Sequence, residues 1–513
     1  MVEPTQKAMP DFGALILLVA IFSAAICAIV YELLIGSVAA YFLGNSVEQF
    51  SLTIGIFLAA MGLGSWLSRF IDDAGLLPRF AQLEIWLGLL GGISIALLYV
   101  LYGYTDYFRF GMIGLIVAIG VLIGLEVPLL TRLLRGYDSL RSALSTVLSL
   151  DYFGALVAGL LFPYVLLPFL GSMHTALVTG LANAVVGLAV VLAFRGWLAR
   201  WAFRALLIQA ALVIALLGGL ALQAEGLLAR WESDLYEDRI VYSEQSAYQK
   251  IVLTRRGEHL RLYLNGHLQF ASVDEHRYHE ALVHPALALA PNRERVLIIG
   301  GGDGLTAREV LKYGDVRQID LVDLDPEVTR LARRNIHMTR LNENSLNRPE
   351  VQVYNEDGFL FLQREHIAYG AILIDLPDPR EESLAKLYSV EAYRFCRKLL
   401  SPGGVLVTQA SSPYYAREAY WSIAAALEAA GFAVHPYHLH VPSFGEWGFH
   451  LAGPAGWDPA SAEFTVPMRY LDRTVWRSLA VFDRDMSRLS VDANRLDKPV
   501  LARYYRDGWN AWF

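Results

Sequence analysis

The sequence predicts two kinds of structure in series: a multi-pass α-helical membrane domain, then an α/β Rossmann-like domain fronted by a small antiparallel β-sheet. Three observations predict this. Apolar stretches of membrane-crossing length repeat through residues 12–224. From residue 295 onward, short buried strands alternate with helices, the pattern of a doubly wound, mostly parallel sheet. Between the two lies period-two alternation with turn chemistry, "HLRLYLNGHLQFAS". The expected divisions are a transmembrane domain at 1–230, the small sheet at 231–285, the Rossmann-like domain at 286–453 and an extension at 454–513.

Hydrophobic residues make up 55% of the 513-residue chain, and its mean hydropathy of +0.37 is high for a soluble protein. Crossing roughly 30 Å of hydrocarbon takes about 20 helical residues. Seven windows reach that length, near 12–36, 50–70, 80–102, 110–134, 149–170, 174–194 and 203–224. The first is not a cleaved signal peptide, because no small-residue cleavage site precedes a polar mature start. Small residues in "GIFLAAMGLGSW" and "DYFGALVAGLLF" suit close helix packing. Glu32, Glu84, Glu126 and Asp151 lie inside the windows, where charge is costly. They are candidates for an internal polar pathway; the plainer reading is an interfacial position or a helix–helix hydrogen bond. Pro128, just after Glu126, and Pro163 and Pro168 in the fifth window predict broken helices.

Arginines follow the second window (Arg69, Arg79), the fourth (Arg132, Arg135, Arg141) and the sixth (Arg195, Arg200, Arg204). The positive-inside rule then puts the N-terminus in the cytoplasm and, after seven crossings, the later domain outside.

In the second half, Asn265-Gly266 between β-rich runs signals a hairpin. "DEHRYHEALVHPALALA" reads as a helix, "RVLIIG" as a buried strand, "LTAREVLKYG" as a helix and "QIDLVDLD" as a strand ending in acids. "PEVTRLARRN" starts a helix with proline in its first turn. "VQVYNED", "YGAILIDLPD", "GGVLVTQAS" and "AVHPYHLHV" supply further strands, with helices at "VEAYRFCRKLL" and "YYAREAYWSIAAALEAAG". The tail, with amphipathic "MRYLDRTVWRSLAVF", is expected to pack on the sheet or on a membrane surface.

A net charge of −7 argues against a nucleic-acid partner and favours a cationic ligand. Cys27 and Cys396 are the chain's two cysteines, which leaves neither a disulfide framework nor a thiolate metal site. Alternation puts His438 and His440 of "HPYHLHV" on one face, but no acid follows to partner them, so no metal is expected there.

The chemistry gathers at the strand ends, where ligands sit in such sheets. A glycine turn that cradles phosphate offers backbone N–H groups to an anion. Asp303, within Gly300-Gly301-Gly302-Asp303-Gly304, would repel one. The turn suits a phosphate-free, positively charged ligand. Asp323 ends the second strand, where such folds grip ribose hydroxyls. Asp357 and Gly358 follow another strand, where an acid and an N–H can read an adenine edge. Together these describe an adenosyl sulfonium. Asp375 and Asp378 in "ILIDLPDP" add negative charge where the reactive carbon would lie, which favours a donor without a carboxylate. The bland alternatives are that these two acids cap a turn before Pro379 and that His279 bonds a backbone carbonyl.

"VLIIGGGDG", "DEHRYHEALVHPAL", "LNGHLQ", "NEDGF", "DLPDP" and "SPGGVLVTQ", in this order and spacing, resemble the spermidine synthase (polyamine aminopropyltransferase) family over Tyr242–Gly453. The apolar half, with "VYELL" at Val30–Leu34, is similar to the membrane-embedded, multi-pass bacterial members, whose spans look like half of a major-facilitator transporter. The resemblance implies a class I methyltransferase-like fold and transfer of the aminopropyl group of decarboxylated S-adenosylmethionine to a diamine such as putrescine. That compound would be a co-substrate, with no tightly bound cofactor and no metal. By position, the resemblance makes Asp375 the proton acceptor and Asp378 a second polyamine anchor. It gives Tyr278, His279, Asp303 and Gln269 to the polyamine or the aminopropyl arm. Gln249, Asp323, Asp357, Gly358, Gly300 and Gly302 fall at the nucleoside, Asp323 standing where the family usually has glutamate. It implies a homo-oligomer, a dimer, in the cell membrane. Its substrate, a cytosolic metabolite, places the catalytic domain in the cytoplasm, against the arginine count. Two departures bear on the acceptor. "REESLAKLYS" replaces a glycine-proline pair after the aspartates, and Phe444 replaces a tyrosine commonly involved in amine binding. The competing readings are a membrane transporter or sensor with a non-catalytic polyamine-binding domain, and an S-adenosylmethionine-dependent methyltransferase.

Overall fold

Long runs of apolar residues, interrupted mainly at glycine and proline, give the first half of the chain its helices. The structure is a computed structural model describing residues 11–44, 46–135, 140–364 and 368–512. It divides into two units, Met1–Glu237 and Asp238–Phe513. The first holds α1 (Asp11–Leu43), α2 (Ser46–Leu67), α3 (Leu76–Tyr104), α4 (Phe108–Leu134), α5 (Leu140–Leu161), α6 (Leu167–Ala193) and α7 (Arg200–Leu235). Among the described residues, six helical stretches have the length and apolar composition to cross a membrane. One of them, Arg141–Ala193, is 53 residues long. At 1.5 Å per residue a single straight helix of that size would measure about 80 Å. It is instead α5 and α6, which cover the fifth and sixth predicted windows, with wide π-type turns at Phe162–Leu166 and a break at Gly171 (φ 67°, ψ 176°). Pro163 and Pro168 each remove a backbone donor there, which weakens helix continuity. Pro128, by contrast, stays inside α4. Because α7 continues to Leu235, the unit boundary falls at Glu237 rather than at residue 230.

Glycines let these helices approach closely. A Cβ on Gly64 would stand 2.1 Å from the Val121 carbonyl oxygen, and one on Gly154 would stand 2.7 Å from Ala25 Cβ. Small residues therefore form the contact faces of α2 with α4 and of α1 with α5. Glu84 and Glu126 are buried in this unit, while Glu32 and Asp151 are half-buried.

The second unit begins with β1 (Arg239–Gln245), β2 (Lys250–Arg256), β3 (His259–Leu264) and β4 (His267–Ala271), antiparallel in that order. Asn265 and Gly266, at φ 48° and 77°, make the left-handed turn that joins β3 to β4. There follow α8 (Glu275–Leu289), β5 (Arg295–Gly300), α9 (Leu305–Val310), β6 (Gln318–Asp323), α10 (Pro326–Arg334), α11 (Ile336–Leu341), β7 (Val351–Asn355), α12 (Gly358–Leu362) and β8 (Tyr369–Asp375). The remainder is α13 (Glu382–Ala385), α14 (Val390–Leu399), β9 (Leu400–Gln409), α15 (Arg417–Ala429), β10 (Ala433–Val441), β11 (Gly445–Gly453), α16 (Arg473–Leu479) and α17 (Leu501–Asn510).

The large sheet has the order β10-β11-β9-β8-β5-β6-β7. Strands β5 to β9 are parallel, and β11 runs antiparallel to both β9 and β10. The sequence reading passed over β11, although Trp447, Phe449 and Leu451 alternate into the core. Chain order reverses between β5 and β8, so a crevice opens at their carboxyl ends. The small sheet packs Ile251, Leu253, Leu262 and Phe270 against Leu305, Val328, Leu331 and Met338, beside that crevice. Helix α8, assigned above to the small-sheet segment, buries Ala281, Leu282 and Ala286 with Val296, Ile298 and Leu373 of the central sheet. The tail is equally integral: Trp476 joins one core face, Leu501 and Tyr505 the other.

Candidate active site

Gly300 and Gly301 take φ 84° and 64°, angles that cost glycine little. The turn they make lets the Gly301 N–H donate to the Asp375 carbonyl at 2.9 Å. A Cβ on Gly300 would stand 2.0 Å from that carbonyl oxygen. The Gly302 N–H donates to Asp323 Oδ2 at 3.1 Å, and a Cβ on Gly302 would lie 2.4 Å from the same atom. Asp303 Oδ1 accepts the Leu305 N–H at 2.9 Å. The aspartate thus takes for itself a helix-start donor that a phosphate would need.

Around this turn the predicted acids converge. Tyr278 on α8 donates its hydroxyl to Asp375 Oδ1 at 2.7 Å, and Thr306 donates to Oδ2 at 2.5 Å. Thr306 is a site residue that sequence reasoning missed. His279 Nδ1 lies 2.8 Å from both the Glu275 carbonyl and Glu275 Oε2, so the backbone contact foreseen as the bland alternative is present. Glu275 also takes a two-pronged hydrogen bond from Arg308, at 3.0 and 2.9 Å. Burial alone would lower the His279 pKa, but Glu275, helped by Asp375 and Asp303, raises it to about 9. The ring is therefore a cation at neutral pH. Burial, reinforced by the Asp375 charge and offset by His279, lifts Asp303 to about 6.

Asp378, three residues on, is buried. Its Oδ2 accepts the Tyr505 hydroxyl of α17 at 2.8 Å; Oδ1 has no partner in hydrogen-bonding geometry among the described residues, although the Ser411 hydroxyl stands near enough to favour the charged form. Burial raises its pKa, while Arg380, Tyr505 and Ser411 oppose that shift. The loop before it is fixed by Tyr388, which donates to the Pro377 carbonyl at 3.1 Å, and by Gln409 Nε2 on the Leu376 carbonyl at 2.9 Å.

On the other flank, burial raises Asp323 to about 7, with Asp325 and Asp303 adding to it and the N–H groups of Asp325 and Gly302 opposing. Gln249 donates to Asp325 Oδ2 at 3.0 Å rather than pointing free, and Ser246 shares that oxygen at 2.6 Å. This links the small sheet to the loop that carries Asp323. Asp357 caps α12 through the Phe359 N–H at 2.8 Å and pairs with Lys386 Nζ at 2.5 Å. An adenine edge would compete with Lys386 for that carboxylate. Gly358 sits against β5, where a Cβ would be 3.0 Å from Ile299. Gln269 is not drawn into the acid cluster by any described contact; its amide donates to the His267 carbonyl of its own strand at 3.0 Å.

Two clamps shape the edge near Tyr278. Asp274 accepts the Ser443 N–H at 2.7 Å and its hydroxyl at 3.0 Å, which sets Phe444 edge-on to Tyr278 with ring centroids 6.4 Å apart. Glu280, fully buried, accepts three backbone N–H groups, from Arg469, Tyr470 and Leu471, at 2.6 to 2.9 Å. His438 and His440 do have an acid, Glu446, which the antiparallel β11 places opposite His440. Cross-strand register supplied what the linear sequence did not.

Residues 275–454 match the model of the spermine/spermidine synthase domain. A polyamine aminopropyltransferase of Leptospira interrogans is 43% identical, over 94% of this chain and 96% of its own length. Polyamine aminopropyltransferase 2 of Ralstonia nicotianae is 43% identical, over 97% of this chain and 99% of its own. Among solved structures, a spermidine synthase in complex with the transition-state analogue AdoDATO shares 26% identity and covers 48% of this chain and 86% of its own, with a TM-score of 0.45.

Proposed function

The chain belongs to the spermine/spermidine synthase family, and from that premise we infer that it is a polyamine aminopropyltransferase. It moves the aminopropyl group of decarboxylated S-adenosylmethionine onto a diamine and releases methylthioadenosine. The observation that carries this reading is the carboxylate cluster of Asp303, Asp375 and Asp378 at the switch point, which suits a cation lacking a carboxylate of its own. A neutral amine nitrogen attacks the methylene next to sulfur, the carbon–sulfur bond breaks, and its electron pair leaves on the now neutral thioether. The proton shed by the attacking nitrogen passes to Asp375, whose two oxygens are aimed by Tyr278 and Thr306. An alkylammonium near pKa ~10 and a carboxyl near ~4 are mismatched by roughly 8 kcal/mol in water. Desolvation of the bound amine narrows that gap by lowering its own pKa. Asp323 and the Gly302 amide stand for the ribose and Asp357 with Gly358 for the adenine, while His279 lends positive charge that balances the acids.

The test is methylthioadenosine release by the purified full chain, supplied with decarboxylated S-adenosylmethionine and a panel of diamines. Release that depends on a diamine is expected. Methyl transfer from intact S-adenosylmethionine, or polyamine binding without any product, would replace this reading.

The apolar stretches of the first unit support a further part of the proposal: these helices lie in the cell membrane, with the second unit in the cytoplasm, where both substrates are made. A fluorescent protein fused after residue 513 is expected to glow, and a fused alkaline phosphatase to stay silent. The opposite pair of results would put the second unit outside, as the arginine count has it.

A further inference from the structure

The Asp378 site contains a side chain from far outside the matched domain. Tyr505 lies on α17, whereas the family model ends at residue 454. Its hydroxyl donates to Asp378 Oδ2 at 2.8 Å, and both groups are buried. That geometry is fixed from several directions. Asn494 Oδ1 accepts the N–H groups of Val500 and Leu501 at the start of α17, and its amide donates to the Ala385 carbonyl at 2.7 Å. Gly508 brings the helix so close to the segment leading into α15 that a Cβ there would stand 2.7 Å from the Tyr415 carbonyl oxygen. Trp509 stacks on Tyr415 with ring centroids 4.9 Å apart. The Arg380 guanidinium lies over the Tyr505 ring, 5.6 Å from its centre.

Phe444, edge-on to Tyr278, brings no hydroxyl to this edge of the site. We propose that Tyr505 is a positioning residue for the acceptor amine: it ties up one oxygen of Asp378 so that the other, Oδ1, is left for the ammonium of a diamine. A buried carboxylate with both oxygens free can rotate, or can be neutralised by a proton. One held by a phenol presents a single, oriented acceptor. Arg380, packed on the same ring, puts a fixed positive charge beside this anchor, and such a charge penalises acceptors with an additional ammonium near that end. The acceptor class that fits is a diamine rather than a triamine. This inference rests on the aminopropyl-transfer reading.

Steady-state kinetics of the detergent-solubilised full chain, wild type and Tyr505→Phe, test it by methylthioadenosine release with diamines of three to five carbons and with a triamine. Loss of a hydrogen bond to a charged group predicts a diamine KM raised at least ~10-fold, with kcat and the donor KM within about threefold of wild type. Arg380→Met should raise kcat/KM for the triamine relative to the diamine. A Tyr505→Phe enzyme with an unchanged diamine KM overturns the proposal. So does one in which donor KM, diamine KM and melting temperature worsen together, which marks a purely structural tyrosine. If wild type itself releases no methylthioadenosine with any diamine, the aminopropyl-transfer reading fails first, and the two failures are distinct.

Discussion

Asp375→Asn is expected to cut turnover by at least ~100-fold while the donor KM stays within about threefold of wild type. The amide keeps the shape of the carboxylate and can still accept the Tyr278 hydroxyl, so the turn and the donor site should hold. What it loses is the ability to receive the proton shed by the attacking amine. Rapid-quench measurement of a single turnover isolates the chemical step from product release. A variant that turns over near the wild-type rate would remove Asp375 from the proton-accepting role. A variant with a much weaker donor KM would show that the side chain mainly holds the glycine turn in place.

The second large effect concerns stability. Glu275→Gln strips the charge from a buried carboxylate that serves Arg308 and His279 together. Removing one partner of a buried ion pair typically costs ~3–5 kcal/mol, and Arg308 keeps Glu309, so the lower end is expected. In a unit of this size about 3 kcal/mol corresponds to a fall in melting temperature of roughly 6–12 °C. The pH dependence follows from the sign of the shift. His279 is raised from 6.5 to about 9, so the folded state binds the proton more tightly than the unfolded chain. Its contribution is complete below about pH 6.5 and is lost as pH rises through 9. Wild-type melting temperature should therefore drop across that window, and Glu275→Gln should flatten the drop. Thermal unfolding of both proteins from pH 6 to 10, followed by intrinsic fluorescence, reads the effect; parallel curves would mean that His279 does not draw its charge from Glu275.

The sequence made the acids at the strand ends legible because their chemistry is local. Asp323 and Asp375 end their strands and Asp303 and Asp357 follow theirs within a few residues, so strand periodicity locates all four without any tertiary information. The Asn265-Gly266 hairpin was readable for the same reason, since its left-handed angles demand those residue types. Thr306 could have been read from its place one step inside the helix after the turn. Tyr505 could not. It meets Asp378 across 127 positions of sequence, through a helix whose placement depends on Asn494 and on packing against α15. Gln249 and Asp357 show a different limit. A motif match assigns a position in the fold, but the partner each side chain chooses, Asp325 in one case and Lys386 in the other, depends on neighbours that no periodicity encodes. Among the apolar windows, composition located α5 and α6, while the π-type turns at Phe162–Leu166 and the backbone angle at Gly171 decide where that stretch breaks.

The glycine turn after β5 is built directly onto the backbone of Asp375: Gly301 donates to its carbonyl, and no side chain fits at Gly300. In the proposed reaction, the residues assigned to the nucleoside and to the proton are therefore mounted on one bracket. On that reading, a substitution in the turn is expected to shift donor and base together, so that selectivity and rate change in step. An engineer seeking a new co-substrate would do better to work on Asp323 or the Lys386–Asp357 pair than on the glycines.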